Sequence, residues 1–176
     1  KVDRSGWSKD VARPGDPLQL TAKLSGFGAD TPVDFKISQS TSEGGAPLAT
    51  LKGHSEDGGL ATVEWVYFHD PIKVKDPRLV FEAAAGDSTA LSGILTIVDW
   101  IELRLEDENG KAIAAKEIRV VDSLNTLHLP VTSKEGIARL EAVACGDATC
   151  RRKGWQIKGE VRPGDKKFRS GLRHPV

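Results

Sequence analysis

Residues 100 to 121, WIELRLEDENGKAIAAKEIRVV, constrain the fold of this chain more than any other stretch. Ile101, Leu103 and Leu105 alternate with Glu102, Arg104 and Glu106, the period of two that marks a strand with one buried face. Asn109-Gly110 then supplies a dipeptide that tolerates positive φ at both central positions of a tight turn. Ile118 and Val120 resume the buried face, while Glu117 and Arg119 face water. The pattern predicts a β-hairpin with strands near 100 to 106 and 111 to 121.

The same alternation runs through the rest of the chain, and helical periodicity is almost absent. A length of 176 residues suits one or two small domains, each able to bury a core. Residues 1 to 97 hold about seven short alternating runs, the number expected of an immunoglobulin-like sandwich. Leu18, Leu20, Ala22 and Leu24 form one inward set, and Val33, Phe35 and Ile37 another. A short strand at Leu48 to Leu51 precedes a turn at His54 to Gly59. Ala61, Val63, Trp65 and Tyr67 follow, and then Leu79, Phe81 and Ala83. Residues 69 to 77, HDPIKVKDP, carry two prolines and several charges and read as an exposed loop. Val98-Asp99 marks the junction, with no Gly/Ser-rich linker, so a nearly continuous strand should cross it. Further strands are expected near 126 to 132, 137 to 144 and 152 to 161. The expected fold is all-β, two β-sandwich domains in tandem at 1–97 and 98–176. After Arg162-Pro163-Gly164-Asp165 the chain becomes basic and turn-rich.

Net charge is balanced: 25 Lys and Arg stand against 25 Asp and Glu, which favours neither a nucleic-acid binder nor a partner of one sign. No apolar run approaches the ~20 residues needed to cross a bilayer, so no membrane insertion is expected. The chain begins at Lys1 without Met, the expectation being a processed product or a piece of something longer. Cys145 and Cys150 enclose Gly146-Asp147-Ala148-Thr149, which suits a tight reversal between paired strands, and a disulfide across that loop is expected. No second Cys/His pair stands at zinc-ligand spacing, and a redox pair needs two intervening residues. No metal or cofactor is expected.

Catalytic constellations are missing from the sequence. His54, His69, His128 and His174 do not pair at i+2 or i+4. His69-Asp70 reads as a solvated loop His beside a turn-forming Asp, because a triad also needs a positioned nucleophile. Glu106-Asp107-Glu108 lies at a turn, where solvation keeps carboxylates ionised and no cleft holds one protonated. Asp107, Asn109 and Gly110 lack the bidentate Glu of a calcium loop. Arg151-Arg152-Lys153 and the tail residues Lys166, Lys167, Arg169 and Arg173 read as a solvated domain end or a protein-docking charge. No RNA- or DNA-binding motif accompanies them.

Trp100-Ile101-Glu102, the acidic turn Asp107-Glu108-Asn109-Gly110, the small-residue kink Ala114-Ala115 and the Gly-initiated strand Glu135 to Glu141 together resemble the transthyretin-like β-sandwich of type VI secretion proteins. That module is attached to VgrG spike proteins, spike tips and some effectors. The N-terminal order WSKDVARPGDPLQLTAKLSGF, TPVDFKI, GLATVEWVY resembles Ig-like modules that precede peptidase, peptidoglycan-binding or spike modules in secretion-related bacterial proteins. The resemblance implies a non-catalytic binding and scaffolding unit that positions a protein partner, whether spike, adaptor or effector. It also implies a chain held in the bacterial cytoplasm before firing and secreted with the type VI apparatus. The partner-binding face is expected on strands 111 to 121 and 127 to 132. Glu117, Arg119 and Val121 project there away from the core, and Lys166, Lys167 and Arg169 add charge. Val121 is apolar where alternation predicts exposure, which suits a docking edge. The alternative is an accessory glycan-binding module of a cell-wall hydrolase, which would need an exposed platform from Trp7, Tyr67, Trp100 or Trp155.

Overall fold

The computed structural model describes residues 1–40, 47–68, 76–107, 109–152, 155–161 and 168–169, with backbone alone from 146 onward. It contains strands and no helix among the described residues. Two compact units divide at Ile97/Val98. The all-β, sandwich-type fold expected from the alternation is what the structure shows.

In the first unit, β1 (Val2–Trp7), β3 (Pro17–Leu24) and β6 (Leu60–Val66) form one antiparallel sheet in the order β1-β3-β6. Facing it, β4 (Pro32–Gln39) pairs with β5 (Ala49–His54) on one side and β7 (Arg78–Ala85) on the other. β7 also carries β8 (Ser88–Leu91), and β2 (Val11–Ala12) pairs in parallel with the start of β9 (Leu95–Arg104). The inward rows of both sheets meet in one core: Leu20, Ala22 and Leu24 of β3 against Val33, Phe35 and Ile37 of β4 and Phe81 and Ala83 of β7. Phe81 sits at its centre, edge-on to Trp7 at 4.8 Å between ring centres and tilted against Phe35 at 5.7 Å. Each such buried aromatic contributes roughly 1.5–3 kcal/mol of transfer free energy.

The second unit repeats the plan with fewer residues. β9, from Val98 on, pairs antiparallel with β12 (Ile137–Ala144) and in parallel with β15 (Phe168–Arg169). The opposing sheet has the order β11-β10-β13-β14, from β10 (Arg119–Val121), β11 (Leu127–His128), β13 (Gly146–Arg152) and β14 (Trp155–Val161). Ile101 and Leu103 of β9, with Leu105 just past its end, pack on Ile118 and Val120, joined by Ala138 and Val143 from β12.

Three expectations are corrected by the fold. The 100–121 stretch is a hairpin only at its tip. Glu106 bridges Ala112 and the Ile113 amide donates to Leu105 O at 2.9 Å, but β9 and β10 then part and lie in opposite sheets. The parting has a local cause. Ala115 takes φ 51 and its amide donates to Thr132 O, while Thr132 Oγ1 donates to Ile113 O at 2.8 Å and accepts from Lys116 N at 3.0 Å. These bonds draw residues 115 to 121 onto the 127–132 segment and leave β9 to β12. Alternation correctly picks which residues are buried, because burial needs only a facing core. It cannot say which strand supplies the ladder.

At the tip itself, Gly110 takes φ 78. The Gly110 amide donates to Asp107 O at 3.0 Å and the Asp107 amide to Lys111 O at 2.9 Å. A turn of this kind needs one left-handed residue at its fourth position.

The Cys145–Cys150 bridge is the third correction. Cys145 is a free, buried thiol. The chain crosses from β12 to β13 at this one residue, and 146–152 is extended rather than reversed, with Cys150 opposite Val120. Five extended residues separate the two Cα atoms by about 16 Å, against a limit of about 7 Å for a disulfide.

Candidate functional site

The turn chemistry that builds the second unit recurs. The amides of Asp107, Asp122 and Ser133 each donate to the carbonyl four residues on, at 2.9, 3.1 and 2.7 Å. The third residue beyond each first position, Gly110, Asn125 or Gly136, takes positive φ. Each first side chain then accepts two forward amides: Asp107 Oδ1 from Asn109 and Lys111, Asp122 Oδ1 from Leu124 and Thr126, and Ser133 Oγ from Glu135 and Ile137. Short polar side chains at this position mimic a backbone turn, which is why Asp and Ser stand there.

The Asp122 turn sets β10 beside 127–132. Val121 lies opposite Leu127, Val120 opposite His128 and Glu117 opposite Val131, and the Ile118 amide donates to Pro130 O at 2.9 Å. Arg119 therefore stands opposite Leu129. Residues directly opposite share a face. The outer face of this sheet thus carries Glu117, Arg119 and Val121 in one row and Leu127, Leu129 and Val131 in the next. The second row is exposed by 45, 48 and 59 %. Glu117 and Arg119 are exposed and Val121 is half-buried.

The structure thus brings together Glu117, Arg119 and Val121 and adds an apolar row beside them that alternation alone does not single out. The signal is present in the sequence: LHLPV alternates apolar residues from Leu127, and the turn spacing from Asp122 to Asn125 fixes which of them oppose β10. Val121 is not an edge residue. β10 is paired on both sides, by β11 and by β13, and the free edge is one strand further out. Lys166 and Lys167 lie outside the described residues. Arg169 belongs to β15, opposite Arg104 on β9, so its backbone sits in the other sheet.

That other sheet presents a different outer face. Arg104 pairs with Glu106 and Arg139 with Glu141, each at 2.6 Å, and the Arg139 guanidinium lies 4.5 Å from the Trp100 ring centre. These charges are mutually compensated and the Trp100 ring is capped.

A buried polar pair was missed by sequence reasoning. The Asp122 side chain is 3 % exposed and lies 3.1 Å from His128 Nε2. Burial pushes the Asp122 carboxyl up. The hydrogen bond from His128 and the amides of Thr126, Ala144 and Leu124 outweigh it and hold the group below its ordinary value. The neighbouring hydroxyl and thiol are not activated. Ser123 Oγ donates to Cys145 O at 2.8 Å. Burial, and then the charge of Asp99, push the Cys145 thiol up to about 12, which keeps it protonated and non-nucleophilic at neutral pH. His54 is exposed beside Asp30, and His69 and His174 lie outside the described residues. Among the described residues no group of acidic, His and Cys side chains could hold a metal ion, and no helix is long and apolar enough to cross a membrane.

Trp7, Trp65 and Tyr67 do not form an exposed platform. Trp65 lies 6.0 Å from Trp7 and 5.6 Å from Tyr67 between ring centres, and all three rings are half-buried or buried. The side chain of Trp155 lies outside the described residues.

No protein-family model matches the chain, and no curated protein matches it. Similar solved structures include the TIE protein of Bacillus anthracis, with 13% identity over 93% of this chain and 37% of that one and a TM-score of 0.38. BcpA, the major pilin subunit of Bacillus cereus, matches at 7% identity over 94% of this chain and 67% of its own, with a TM-score of 0.35. The T6 backbone pilin of serotype M6 Streptococcus pyogenes matches at 12% identity over 82% and 46%, with a TM-score of 0.32. The chain spans little more than a third of the length of the TIE protein and less than half of the T6 pilin. Likeness at this level carries no argument about family or function, and the type VI resemblance rests on its sequence motifs alone.

Proposed function

We propose that the chain is a non-catalytic binding and scaffolding module in which residues 1–97 act as a spacer and residues 98–176 hold a protein partner. One observation carries this reading. On the outer face of the β10–β11 pair, an exposed apolar row of Leu127, Leu129 and Val131 lies directly beside Glu117, Arg119 and Val121. An apolar strip rimmed by one cation and one anion is the composition of a small protein-docking patch. The compensated face of β9 and β12 offers nothing comparable.

The motif resemblance supplies the context. The module would belong to a type VI spike or to a modular effector, and the partner would be a spike, adaptor or effector protein exported with it. The glycan-binding alternative finds no exposed platform in Trp7, Trp65 and Tyr67.

The test is capture of the spike, adaptor and effector proteins of the same bacterium by the wild-type chain and by the R119E/V121E variant. Weakening by at least about 10-fold, on the order of 1.4 kcal/mol, with an unchanged melting temperature is expected. Unaltered binding by the folded variant removes this face from the reading.

A further inference from the structure

We propose that the free edge of the second unit, Leu127 to Val131, pairs antiparallel with the same edge of a second copy of the chain, centred on Leu129. The inference goes beyond the module reading, since it concerns the backbone edge of residues 127–131 and not the side chains on the outer face of the β10–β11 pair.

The edge is open in a specific sense. Ile118 donates to Pro130 O, and Thr132 donates to Lys116 O at 2.9 Å, so residues 128, 130 and 132 spend their backbone groups on the β10 side. In an antiparallel ladder the intervening residues point their amides and carbonyls the other way. Leu127, Leu129 and Val131 therefore aim N–H and C=O groups out of the sheet, and no strand lies beyond them among the described residues. Proline blunts an edge when its missing donor faces outward. Pro130 faces inward, so the outward row of donors is complete.

Two other edges of the molecule differ. β5, at the edge of its sheet, exposes Thr50, Lys52 and His54, and the register of β1 shifts between Val2 and Arg4. Lysine, polar residues and bulges are the usual devices against edge-to-edge pairing. The 127–131 edge exposes two leucines and a valine instead.

A second copy fits this edge because the segment is self-complementary about Leu129. A two-fold axis there sets Leu129 opposite Leu129, Leu127 opposite Val131 and His128 opposite Pro130. The outward pairs match apolar with apolar, and no like charges oppose each other. The outward amides of Leu127, Leu129 and Val131 meet the outward carbonyls of Val131, Leu129 and Leu127 of the other copy. Their side chains, already on one face, close into a continuous apolar strip. An isologous contact of this kind closes on itself and does not propagate.

The experiment reads both association and register. Sedimentation of the 176-residue chain at micromolar concentrations is expected to show a monomer–dimer equilibrium. Leu129→Lys, which sets two ammonium groups against each other at the axis, is expected to weaken the dimer at least about 10-fold with the same circular dichroism as wild type. Under mild oxidation L129C is expected to link to itself, identified by mass spectrometry as a symmetric disulfide between two copies of the peptide that carries the substitution. L127C alone should not link, whereas a mixture of L127C with V131C should. A monomer at all concentrations overturns the proposal, as does a dimer in which L129C fails to link or in which L127C links to itself. A monomeric chain that still captures a protein through Arg119 and Val121 would sink the self-pairing alone and leave the module reading standing. Capture of a different protein by the edge of a monomeric chain, abolished by L129K, would likewise overturn the second copy as its occupant.

Discussion

His128 Nε2 lies 3.1 Å from the carboxylate of Asp122, and this bond locks the turn that joins β10 to β11. Asp122 accepts at the same time from the amides of Leu124, Thr126 and Ala144, at 3.0, 2.9 and 3.3 Å. One buried side chain thereby ties the turn to its own strand and to β12. An ionised carboxylate can only accept, so the hydrogen bond between the two is donated from His128 Nε2.

Asp122→Ala should therefore destabilise the second unit by about 2–3 kcal/mol, because it strands buried donors without an acceptor. The pH dependence has a definite sign. Asp122 is held below its ordinary value in the folded state, so its contribution is full above the unfolded carboxylate pKa of about 4. It is lost as pH falls through the lower folded value. Acid unfolding of the wild type and of Asp122→Asn, followed by circular dichroism, checks this: the variant should lack part of the wild type's stability near neutral pH and show a shallower acid limb.

Cys145 should resist alkylation at pH about 8 in the folded protein and react on unfolding, since burial and Asp99 push its thiol up to about 12. The folded, oxidised chain should also yield no intramolecular Cys145–Cys150 peptide. Differential labelling with mass spectrometry reads both outcomes, and rapid labelling of native Cys145 would show the site to be open.

Gly136 and Gly110 both take left-handed backbone, φ 73 and 78, but their surroundings differ. A Cβ at Gly136 would sit 2.5 Å from Leu105 O, whereas nothing lies within 4 Å of one at Gly110. Gly110→Ala should cost about 1 kcal/mol from backbone strain alone. Gly136→Ala should cost distinctly more, about 2 kcal/mol or above, since the 133–137 turn must move off the end of β9. Urea denaturation of the two variants side by side separates strain from collision.

In the first unit, Phe81→Ala should remove about 3–5 kcal/mol, the usual loss for a buried aromatic that leaves a cavity. The ring is fully buried and packs on Trp7 and Phe35. A change in native tryptophan emission should therefore accompany the fall in urea midpoint.

Much of this molecule is written in alternation. Which side chains face a core was legible at Ile101, Leu103, Leu105, Ile118 and Val120, because a period of two fixes the face whatever strand lies alongside. The turn at Asp107 to Gly110 was legible too, since Gly110 is the type that a left-handed position demands. Pairing was not. A strand reads only its own faces, and the partner is chosen by long-range packing. β9 therefore went to β12 instead of β10, and 146–152 entered a ladder instead of bending a disulfide into place. The interaction face was half legible for the same reason. Glu117, Arg119 and Val121 could be assigned outward from sequence. Their juxtaposition with Leu127, Leu129 and Val131, and the transfer of the free edge from β10 to the neighbouring segment, arise only when the Asp122 turn folds the two segments together in register.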